Sequence, residues 1–359
     1  MKISICIPQY NRSRYLLAVL DSILVQDYKE IEVTISDDAS KDDSEILIPS
    51  YIAKNAHRLS GGIKYVRQQK NLGYDGNLRA AMSLATGDYI FILGNDDGLA
   101  FPDSISKLAA ILEKFGRPEA AFSNFIEFGV PEAVISRAKT TSILGAGPQI
   151  ALKFFRFFSF VGGVIVKREF FGKYNTHLYD GSVYFQIYLS ARIVAAGGRL
   201  LAISEPLVAK DVKIGGDVSN SYRDVLARDN AVFVPRTGGL SQVARVAYEA
   251  ISPYVGQGST AICLLRIYSQ IYTYCYTLWL MEYRRAGVYR ASLNLALGCF
   301  PSRFILIPGV SSFIKGLLYV NYGFATLIGL FMPLSFLVRI ANLVRRIQQH
   351  LNYRGVLNF

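Results

Sequence analysis

Hydrophobic and polar positions along the first 116 residues follow two alternating periods. Short apolar or alternating runs, typical of strands, are interleaved with longer segments whose apolar residues recur every three or four positions, as is typical of helices. The predicted strands are residues 2–8, 31–36, 62–68 and 88–94, and the predicted helices are 14–26, 44–58, 78–86 and 103–116, the second broken near Pro49. This alternation predicts an α/β fold with a mostly parallel central sheet flanked by helices, which binds ligands at the carboxyl ends of its strands.

The middle of the chain has a less regular pattern. Residues 119–125 predict a strand, 162–171 a strand that enters a helix, 180–198 a helix, and 199–210 a strand pair or hairpin. Residues 126–160 mix glycine, proline and basic residues with an aromatic-rich run, and they predict no definite element.

Two long apolar stretches, residues 259–281 and 316–338, distinguish the last third of the chain. The second carries no charge and is long enough to span a bilayer of roughly 30 Å. A single crossing would place the basic tail on the far side, against the tendency of positive charge to stay cytoplasmic. We therefore expect two interfacial helices or a re-entrant pair, with packed core or dimer helices as the alternative.

The net charge of +12 is concentrated in this same region. From Ile251 onward the sequence contains ten basic residues and one acidic residue, Glu282. Basic residues interleaved with long apolar runs favour an anionic membrane surface as partner, and they favour it over nucleic acid.

Cysteine and histidine usage excludes several classes of protein. The four cysteines are scattered and the three histidines form no cluster, so we expect reduced thiols and no zinc site. The amino-terminal strand run stops at Pro8 without the long apolar core of a secretory signal, so we expect the amino end in the cytoplasm.

Carboxylates follow two of the predicted strands at the point where each strand ends. Asp37 and Asp38 follow the second strand, and Asp96 and Asp97 follow the fourth. Such carboxylates can accept hydrogen bonds from a nucleoside, and an adjacent pair can hold a hard divalent cation that neutralises a diphosphate leaving group. Each turn is also typical of a simple helix cap. Between the two lies the glycine-punctuated loop 70–77, which opens a helix and could face phosphate or nucleoside.

Five ordered motifs together resemble a known family. IPQYNR, EVTISDDASKDDS, NLGYDGNLRAA, ATGDYIFILGNDD and a helix that ends in AAGGR follow one another as in the family 2 glycosyltransferases of GT-A fold. The resemblance is strong over residues 1 to about 115 and thinner to about 220. It implies a Rossmann-like GT-A domain over residues 1–220, with a nucleotide-sugar-binding half at 1–115 and an acceptor-binding half at 116–220. Residues 221–359 would form a helical, basic and apolar membrane-associating region.

The resemblance also implies roles for individual residues. Pro8 and Tyr10 would line the base pocket, and Asp37 or Asp38 would contact the base or ribose. Further donor contacts are implied for Arg12, Asn71, Gly73, Asn77, Asn95 and Asp96.

The metal motif departs from the family pattern. Asp96, with Asp97, would ligate Mg²⁺ or Mn²⁺, but the usual Asp-x-Asp motif reads Gly94-Asn95-Asp96 here. One ligand is therefore missing, and a later residue such as Asp211 or Asp217 could share the metal.

The catalytic base departs from the pattern as well. The family's Glu-Asp pair before a helix would fall on Phe185 and Gln186, and neither side chain can act as a base. Asp180 is the nearest carboxylate and becomes the candidate base.

The resemblance implies an inverting, metal-dependent glycosyltransferase of the hexosyltransferase type. It would move a sugar from a nucleoside diphosphate sugar to a hydroxyl of a lipid-linked or growing glycan, as in bacterial surface polysaccharide or O-antigen assembly. We expect it at the cytoplasmic face of the inner membrane, peripheral or monotopic, with a homo-oligomer through the carboxyl-terminal helices as a further expectation. The alternatives are a non-catalytic nucleotide-sugar-binding homologue, a nucleotidyltransferase and an RNA-binding protein. The segment PQYNRSR lacks the phosphate loop that a nucleotidyltransferase needs.

Overall fold

The computed structural model describes residues 1–215, 217–218, 234–256, 258–302, 310–333, 335–336 and 339. The chain divides into two compact units, Met1–Ser221 and Tyr222–Phe359. Each unit has its own secondary structure and is described by itself.

The first unit alternates strands and helices along most of its length. Its described strands are β1 Ile3–Gln9, β2 Ile31–Asp37, β3 Ile63–Arg67, β4 Tyr89–Ile92, β5 Gly98–Leu99, β6 Ala120–Glu127, β7 Val130–Ile135, β8 Ser142–Gly145, β9 Val164–Lys167, β10 Leu200–Lys210, β11 Lys213–Ile214 and β12 Asp217–Val218. Its described α-helices are α1 Ser13–Leu24, α2 Ser44–Asn55, α3 Gly73–Ser83, α4 Ser104–Lys114, α5 Pro148–Phe154, α6 Arg168–Tyr174 and α7 Phe185–Ala195.

Strands β1 to β10 form one mixed sheet. Their order is β3-β2-β1-β4-β9-β6-β10-β5, with β7 beside β6 and β8 beside β10. The half made of β1 to β4 is parallel, as the sequence predicted. The other half is mixed and not mostly parallel as predicted: β6 and β10 pair in parallel, but β9 runs antiparallel between β4 and β6, and β10 is antiparallel to β5 and β8.

Helices cover both faces of the parallel half. The main apolar core includes Ile5, Ile35, Leu20 and Leu108, which come from β1, β2, α1 and α4 respectively. On the side of α3, the Thr34 hydroxyl donates to a backbone carbonyl of that helix. Each large apolar side chain buried in this way stabilises the fold by about 1.5–3 kcal/mol, so the sheet is a firm base for the polar residues at its edge.

Several irregular features differ from the predictions. Helix α2 runs through Pro49 without a break. The predicted hairpin at 199–210 is one strand, β10, with register shifts around Pro206. The predicted helix at 180–198 begins only at Phe185, and residues 126–160 contain β7, β8 and α5.

The second unit is helical in its described part. It contains α8 Leu240–Ile251, α9 Thr260–Ile271, a π-helical segment Tyr272–Tyr276, α10 Thr277–Arg285, α11 Tyr289–Gly298 and α12 Ser312–Phe331. The first apolar stretch of the sequence becomes α9, the π segment and part of α10, in which Tyr268, Tyr272 and Tyr276 are buried within the unit.

Helix α12 is long and apolar enough to cross a membrane by length and composition, and in that respect it is alone among the described residues. Leu318, Ala325 and Gly329 on one face are buried within the unit. The large apolar residues of the opposite face are exposed: Phe313, Leu317, Val320, Phe324, Leu327 and Phe331. This single exposed helix is weak evidence of membrane association. Residues 334, 337 and 338 of the predicted stretch lie outside the described residues.

Candidate active site

The carboxyl ends of β1, β2 and β4 lie side by side, because the three strands are parallel neighbours. Gln9, the last residue of β1, is in register with Asp37, the last residue of β2. The polar residues that follow these strands therefore gather at one edge of the sheet, where an open sheet of this kind binds its ligand.

Asp37 shapes the turn after β2. Its side chain is fully buried, and Oδ1 accepts hydrogen bonds from the backbone N–H and the hydroxyl of Ser40, at 2.9 and 2.5 Å. Oδ2 accepts from the Tyr65 hydroxyl at 2.5 Å. Burial, together with this carboxylate, raises the pKa of Tyr65. Asp37 thus uses both of its oxygens within the protein.

Asp38 joins this turn to the start of α3. Its Oδ1 accepts from the Leu72 N–H at 2.5 Å, and its own N–H donates to the Gln9 carbonyl at 2.9 Å. Asn71 Oδ1 accepts from the Gly73 N–H at 2.9 Å, and Gly73 has a φ of +74°, a left-handed conformation that glycine adopts without strain. Burial raises the pKa of Asp38, although the backbone hydrogen bonds oppose this change. The structure therefore brings together the predicted donor residues 38, 71 and 73.

Tyr10 is the exposed aromatic residue at this edge, with 38% of its surface accessible. The next residue, Asn11, has a left-handed φ of +50°, and its N–H donates to Ser40 Oγ at 3.0 Å. This bend turns the chain out of β1, so the Tyr10 ring is available to stack on a planar base. Pro8 is buried within β1, in register with Ser36.

Three buried residues with side-chain amides, Gln9, Asn77 and Asn95, are joined by hydrogen bonds. Asn95 Nδ2 donates to Gln9 Oε1 at 2.8 Å, and Gln9 Nε2 donates to Ser44 Oγ at 2.9 Å. Asn77 Nδ2 donates to the Gln9 carbonyl at 3.0 Å, while Asn77 Oδ1 is buried with no partner in the described part of the chain. Sequence reasoning missed Gln9, although a polar side chain at the end of an otherwise apolar strand was a usable signal.

The acidic turn after β4 is held by an arginine and by the segment after β10. Asp96 Oδ2 forms an ion pair with Arg12 Nη1 at 2.7 Å. The Asp211 N–H donates to Asp97 Oδ1 at 3.2 Å, and the Val212 N–H donates to the Asp96 carbonyl at 2.8 Å. Burial, and next the charge of Asp96, raise the pKa of Asp97 well above its ordinary value.

Gly94 stands where the Asp-x-Asp pattern has its first aspartate. A Cβ atom at position 94 would lie 2.7 Å from Asp97 Oδ2 and 3.1 Å from Asp96 Oδ1. The carboxylates of Asp96 and Asp97 therefore occupy part of the space that an aspartate side chain at position 94 would need. No group of three or more His, Cys, Asp or Glu side chains lies together within the described residues. Two converging carboxylates nevertheless fit Mg²⁺ or Mn²⁺, since Mg²⁺ commonly takes one or two protein carboxylates and completes its shell with substrate phosphate and water.

Asp75 is a carboxylate that the sequence did not single out. It lies on α3 and is buried, and it accepts from the backbone N–H groups of Val183 and Phe185 at 2.7 and 2.9 Å and from the Ser182 hydroxyl at 3.3 Å. It thereby caps the amino terminus of α7 from another helix. Burial raises the pKa of Asp75 to about 6 against the effect of these hydrogen bonds.

Asp180, the candidate base, lies five residues before α7. Arg79 donates to both of its oxygens, from Nε to Oδ1 at 3.0 Å and from Nη2 to Oδ2 at 2.5 Å. The exposed His177 lies 3.2 Å from Oδ2 through Nδ1. The Asp180 side chain keeps 29% of its surface accessible, so a ligand hydroxyl can reach it. Asp217 forms part of β12, and its side chain is outside the described features.

Comparisons with known proteins show which family the first part of the chain is similar to. Residues 4–172 match the family described as Glycosyl transferase family 2. The abequosyltransferase RfbV of Salmonella typhimurium is 44% identical over 115 residues, which is 32% of this chain and 33% of that protein. A GalNAc(5)-diNAcBac-PP-undecaprenol beta-1,3-glucosyltransferase of Campylobacter jejuni is 32% identical over 27% of this chain and 30% of its own length. The chain thus spans about a third of the length of these two curated relatives.

Solved structures show the same fold over most of the chain. TarS 1–349 of S. aureus, solved in complex with UDP-GlcNAc, has a TM-score of 0.61 at 16% identity and covers 92% of this chain and 89% of that one. The mannosyltransferase PcManGT of Pyrobaculum calidifontis, solved with GDP-Man and Mn²⁺, has a TM-score of 0.51 at 16% identity over 92% and 87% of the two chains.

Proposed function

We propose that this chain, whose residues 4–172 match glycosyltransferase family 2, is a transferase of GT-A fold that moves a sugar, with inversion, from a nucleoside diphosphate sugar to a hydroxyl of a lipid-linked or growing glycan. The observation that carries the proposal is the grouping of Tyr10, Asp38 and Asp96 at one edge of the sheet, in the order that the family motifs place them. The similarity to bacterial polysaccharide and O-antigen transferases supports a glycan acceptor.

The nucleoside would bind over the ends of β1 and β2. Tyr10 offers an exposed ring for stacking on the base. The turn built by Asp37 and the link made by Asp38 to the start of α3 fix the shape of this pocket. The Leu72 and Gly73 N–H groups at the amino end of α3 donate to Asp38 and Asn71, which fixes this end of the helix beside the pocket.

The diphosphate would bind beside the acidic turn. Asp96 and Asp97 would hold Mg²⁺ or Mn²⁺, which supplies positive charge to a departing nucleoside diphosphate. Arg12 reaches the same carboxylate and can share its charge with a phosphate oxygen. Arg12 would therefore lie beside a diphosphate leaving group both when it is paired with Asp96 and when it is not.

Asp180 would accept the proton of the acceptor hydroxyl as that oxygen attacks the anomeric carbon. Arg79 donates to both Asp180 oxygens, and each oxygen has a further lone pair that can accept from the acceptor hydroxyl. The buried Asp75 fixes the neighbouring backbone at 183–185, which holds this part of the site in place.

Titration calorimetry tests the donor site. Purified protein is titrated with UDP, CDP, GDP and dTDP, each with and without Mn²⁺, and the series is repeated on Asp96→Ala. The matched control is Asp103→Ala, because Asp103 forms an exposed ion pair with Lys107 away from the strand ends. We expect Mn²⁺ to raise the affinity of the wild type and of Asp103→Ala for one of the four diphosphates. In Asp96→Ala this gain in affinity should be lost. Failure of all four diphosphates to bind would overturn the proposal.

A non-catalytic nucleotide-sugar-binding protein is the second candidate. Two observations favour it: glycine at position 94, and the double hydrogen bond that ties Asp180 to Arg79. Release of nucleoside diphosphate from a matched sugar donor separates the two functions. The transferase should release it and Asp180→Asn should not, although Asp180→Asn should still bind the diphosphate. A binding protein would show no release in either form.

We also propose that α12 lies on the cytoplasmic surface of the membrane, in a peripheral or monotopic manner. One face of α12 packs within its own unit, so the exposed apolar face is free to enter the boundary between headgroups and acyl chains. The basic residues of the last third add attraction to anionic lipid. A glycan acceptor carried on a lipid would be reached from that position.

Vesicle sedimentation tests this placement. Phe324→Glu on the exposed face should weaken binding to vesicles of phosphatidylcholine and phosphatidylglycerol. The control Ile46→Glu alters an isoleucine on α2 that is 71% exposed, and it should bind like the wild type. If the same face instead joins two copies of the chain, light scattering will show a dimer that Phe324→Glu dissociates, and vesicle binding will be absent.

A further inference from the structure

Arg137 is a charged residue of the first unit that the proposed mechanism does not use. It lies between β7 and β8, in a segment where the sequence predicted no definite element. Its N–H donates to Asn124 Oδ1 at 2.6 Å, and the amide of Asn124 in turn donates to carbonyls of Ala138 and Ser204. The backbone of Arg137 is therefore fixed to β6 and β10.

The guanidinium group of Arg137 binds four backbone carbonyls. Nε donates to Ser123 at 2.7 Å, Nη1 to Phe157 at 2.9 Å and Phe160 at 3.2 Å, and Nη2 to Gly162 at 2.9 Å. Three of the four carbonyls belong to one turn, residues 157–163, that precedes β9. One side chain thus holds this turn at three points.

The surroundings of the guanidinium are aromatic. Its centre lies 5.8, 5.2 and 5.5 Å from the ring centroids of Phe122, Phe125 and Phe160. Burial lowers the pKa of Arg137 to about 9, and the negative charge of Asp97 acts in the opposite direction. Arg137 therefore stays charged at neutral pH, enclosed by rings that face a cation favourably.

The turn held by Arg137 touches the acidic turn of the candidate site. A Cβ atom on Gly162 would lie 2.9 Å from the Phe160 ring and 3.0 Å from Asp97 Oδ2, the same oxygen that lies against Gly94. The Gly163 N–H donates to the Ile92 carbonyl at 3.1 Å, so the turn is also tied to the end of β4. Asp97 Oδ2 thus lies close to both Gly94 and Gly162, where a side chain at either position would crowd it.

We propose that Arg137 is a positioning residue for the donor site, which holds the 157–163 turn so that Gly162 keeps the Asp97 carboxylate against Gly94 beside Asp96. The inference rests on the proposed function, because the position of Asp97 matters to activity only if the acidic turn binds the metal-diphosphate group. Arg137 acts through the turn and does not itself contact the donor or the metal.

The test uses two variants of the full chain that disturb this contact from opposite sides. Arg137→Lys keeps the positive charge, but a single ammonium group lacks the planar fork that binds four carbonyls at once. Gly162→Ala keeps the Arg137 side chain and places a methyl group against Asp97 Oδ2 and the Phe160 ring. The matched control is Arg199→Lys, because Arg199 also donates to backbone carbonyls, those of Gly116 and Arg117, at the opposite end of β10.

The measurement is the affinity for the diphosphate that the wild type binds, with and without Mn²⁺, together with the thermal unfolding midpoint of each variant. We expect Arg137→Lys and Gly162→Ala to lose about tenfold of the Mn²⁺-assisted affinity, while the metal-free affinity stays within about twofold. Arg199→Lys should keep both affinities.

The outcomes separate this inference from the proposed function. If the wild type gains affinity from Mn²⁺ and both variants gain as much, Arg137 does not position the acidic turn and the inference fails alone. If metal-free and Mn²⁺-assisted affinities fall together with the folded fraction, Arg137 stabilises the fold only, and the inference fails as well. If the wild type binds no diphosphate under either condition, the proposed function itself has failed.

Discussion

Glu32 is a fully buried carboxylate on β2, at the end of the sheet opposite the candidate site. Its oxygens accept hydrogen bonds from the Ser4 hydroxyl and from the backbone N–H groups of Thr86 and Gly87, and Lys2 Nζ lies 2.8 Å away. Burial alone would raise its pKa, but the hydrogen bonds from Lys2, Ser4 and Thr86 outweigh this effect and hold the pKa well below its ordinary value. One side chain thus joins β1, β2 and the segment before β4.

Glu32→Gln should lower the free energy of unfolding at neutral pH by about 2–4 kcal/mol, because a buried set of charge-assisted hydrogen bonds loses its negative partner. The folded-state pKa lies below the unfolded-state value, so this stabilisation is present above pH 4.5 and is lost as the pH falls towards the folded-state value. Urea unfolding of both proteins at several pH values measures it. An equal stability of wild type and variant at neutral pH would contradict the prediction.

Asp75 should respond to pH in the opposite direction. Burial raises its folded-state pKa from 3.8 to about 6, so its contribution to stability is full below pH 3.8 and is lost as the pH rises through about 6. The difference corresponds to about 3 kcal/mol. Asp75→Asn carries no titrating group, so between about pH 4 and about pH 7 the wild type should lose stability relative to the variant by an amount of this order. Parallel stability curves for the two proteins would show that Asp75 does not titrate in this range.

Individual site residues were predictable where a pattern in sequence coincides with strand ends. Asp38 and Asp96 follow predicted strands, and parallel strands bring such residues together. The contact of Gly162 with Asp97 was not predictable, because it depends on how two turns distant in sequence approach each other. The same holds for Asp75, whose partners lie more than a hundred residues away.

At the scale of elements, α2 contradicts the expectation that proline ends a helix. Pro49 is the sixth residue of α2 and is exposed, and it removes one N–H donor to the carbonyl four residues earlier. The buried residues Ser44 and Ile48 still anchor the helix against the unit. Tertiary packing therefore outweighs the local cost of the proline.

Pro49→Ala should accordingly raise the free energy of unfolding by about 1–2 kcal/mol, since the lost hydrogen bond is restored and only part of the gain is offset by the more flexible unfolded chain. The control is Pro148→Ala, because Pro148 stands in the first turn of α5, where proline is favoured. That change should lower stability slightly. Chemical unfolding of the three proteins decides between these signs, and a destabilised Pro49→Ala would refute the explanation.

The strands that the sequence did not predict, or predicted wrongly, are defined by contacts with other strands. Strands β7 and β8 and the single strand β10 are defined by pairing with β6 and with each other, and not by a clear period of their own. The register shifts around Pro206 let β10 continue where the local sequence is typical of a turn. By contrast, β1 and β2 are buried along their whole length and have the apolar runs that identify such strands.

At the scale of the whole molecule, the boundary between the units separates two kinds of sequence. The main core cluster draws all of its buried members from residues between Ile3 and Val212, so this cluster lies within the first unit. The basic and apolar character of the last third is an average over many residues. It could therefore be recognised from the sequence without knowledge of any contact.

A protein ending at residue 221 should therefore fold alone, unfold in one cooperative transition, and bind the same diphosphate with Mn²⁺ to within about twofold of the full chain. It should no longer sediment with vesicles that contain phosphatidylglycerol, because the exposed face of α12 and most of the excess positive charge are removed. Calorimetry and vesicle sedimentation on both lengths of chain measure the two properties separately. Retained vesicle binding by the shorter protein would assign the membrane contact to the first unit, whereas a soluble, folded fragment without diphosphate binding would show that the donor site needs the second unit.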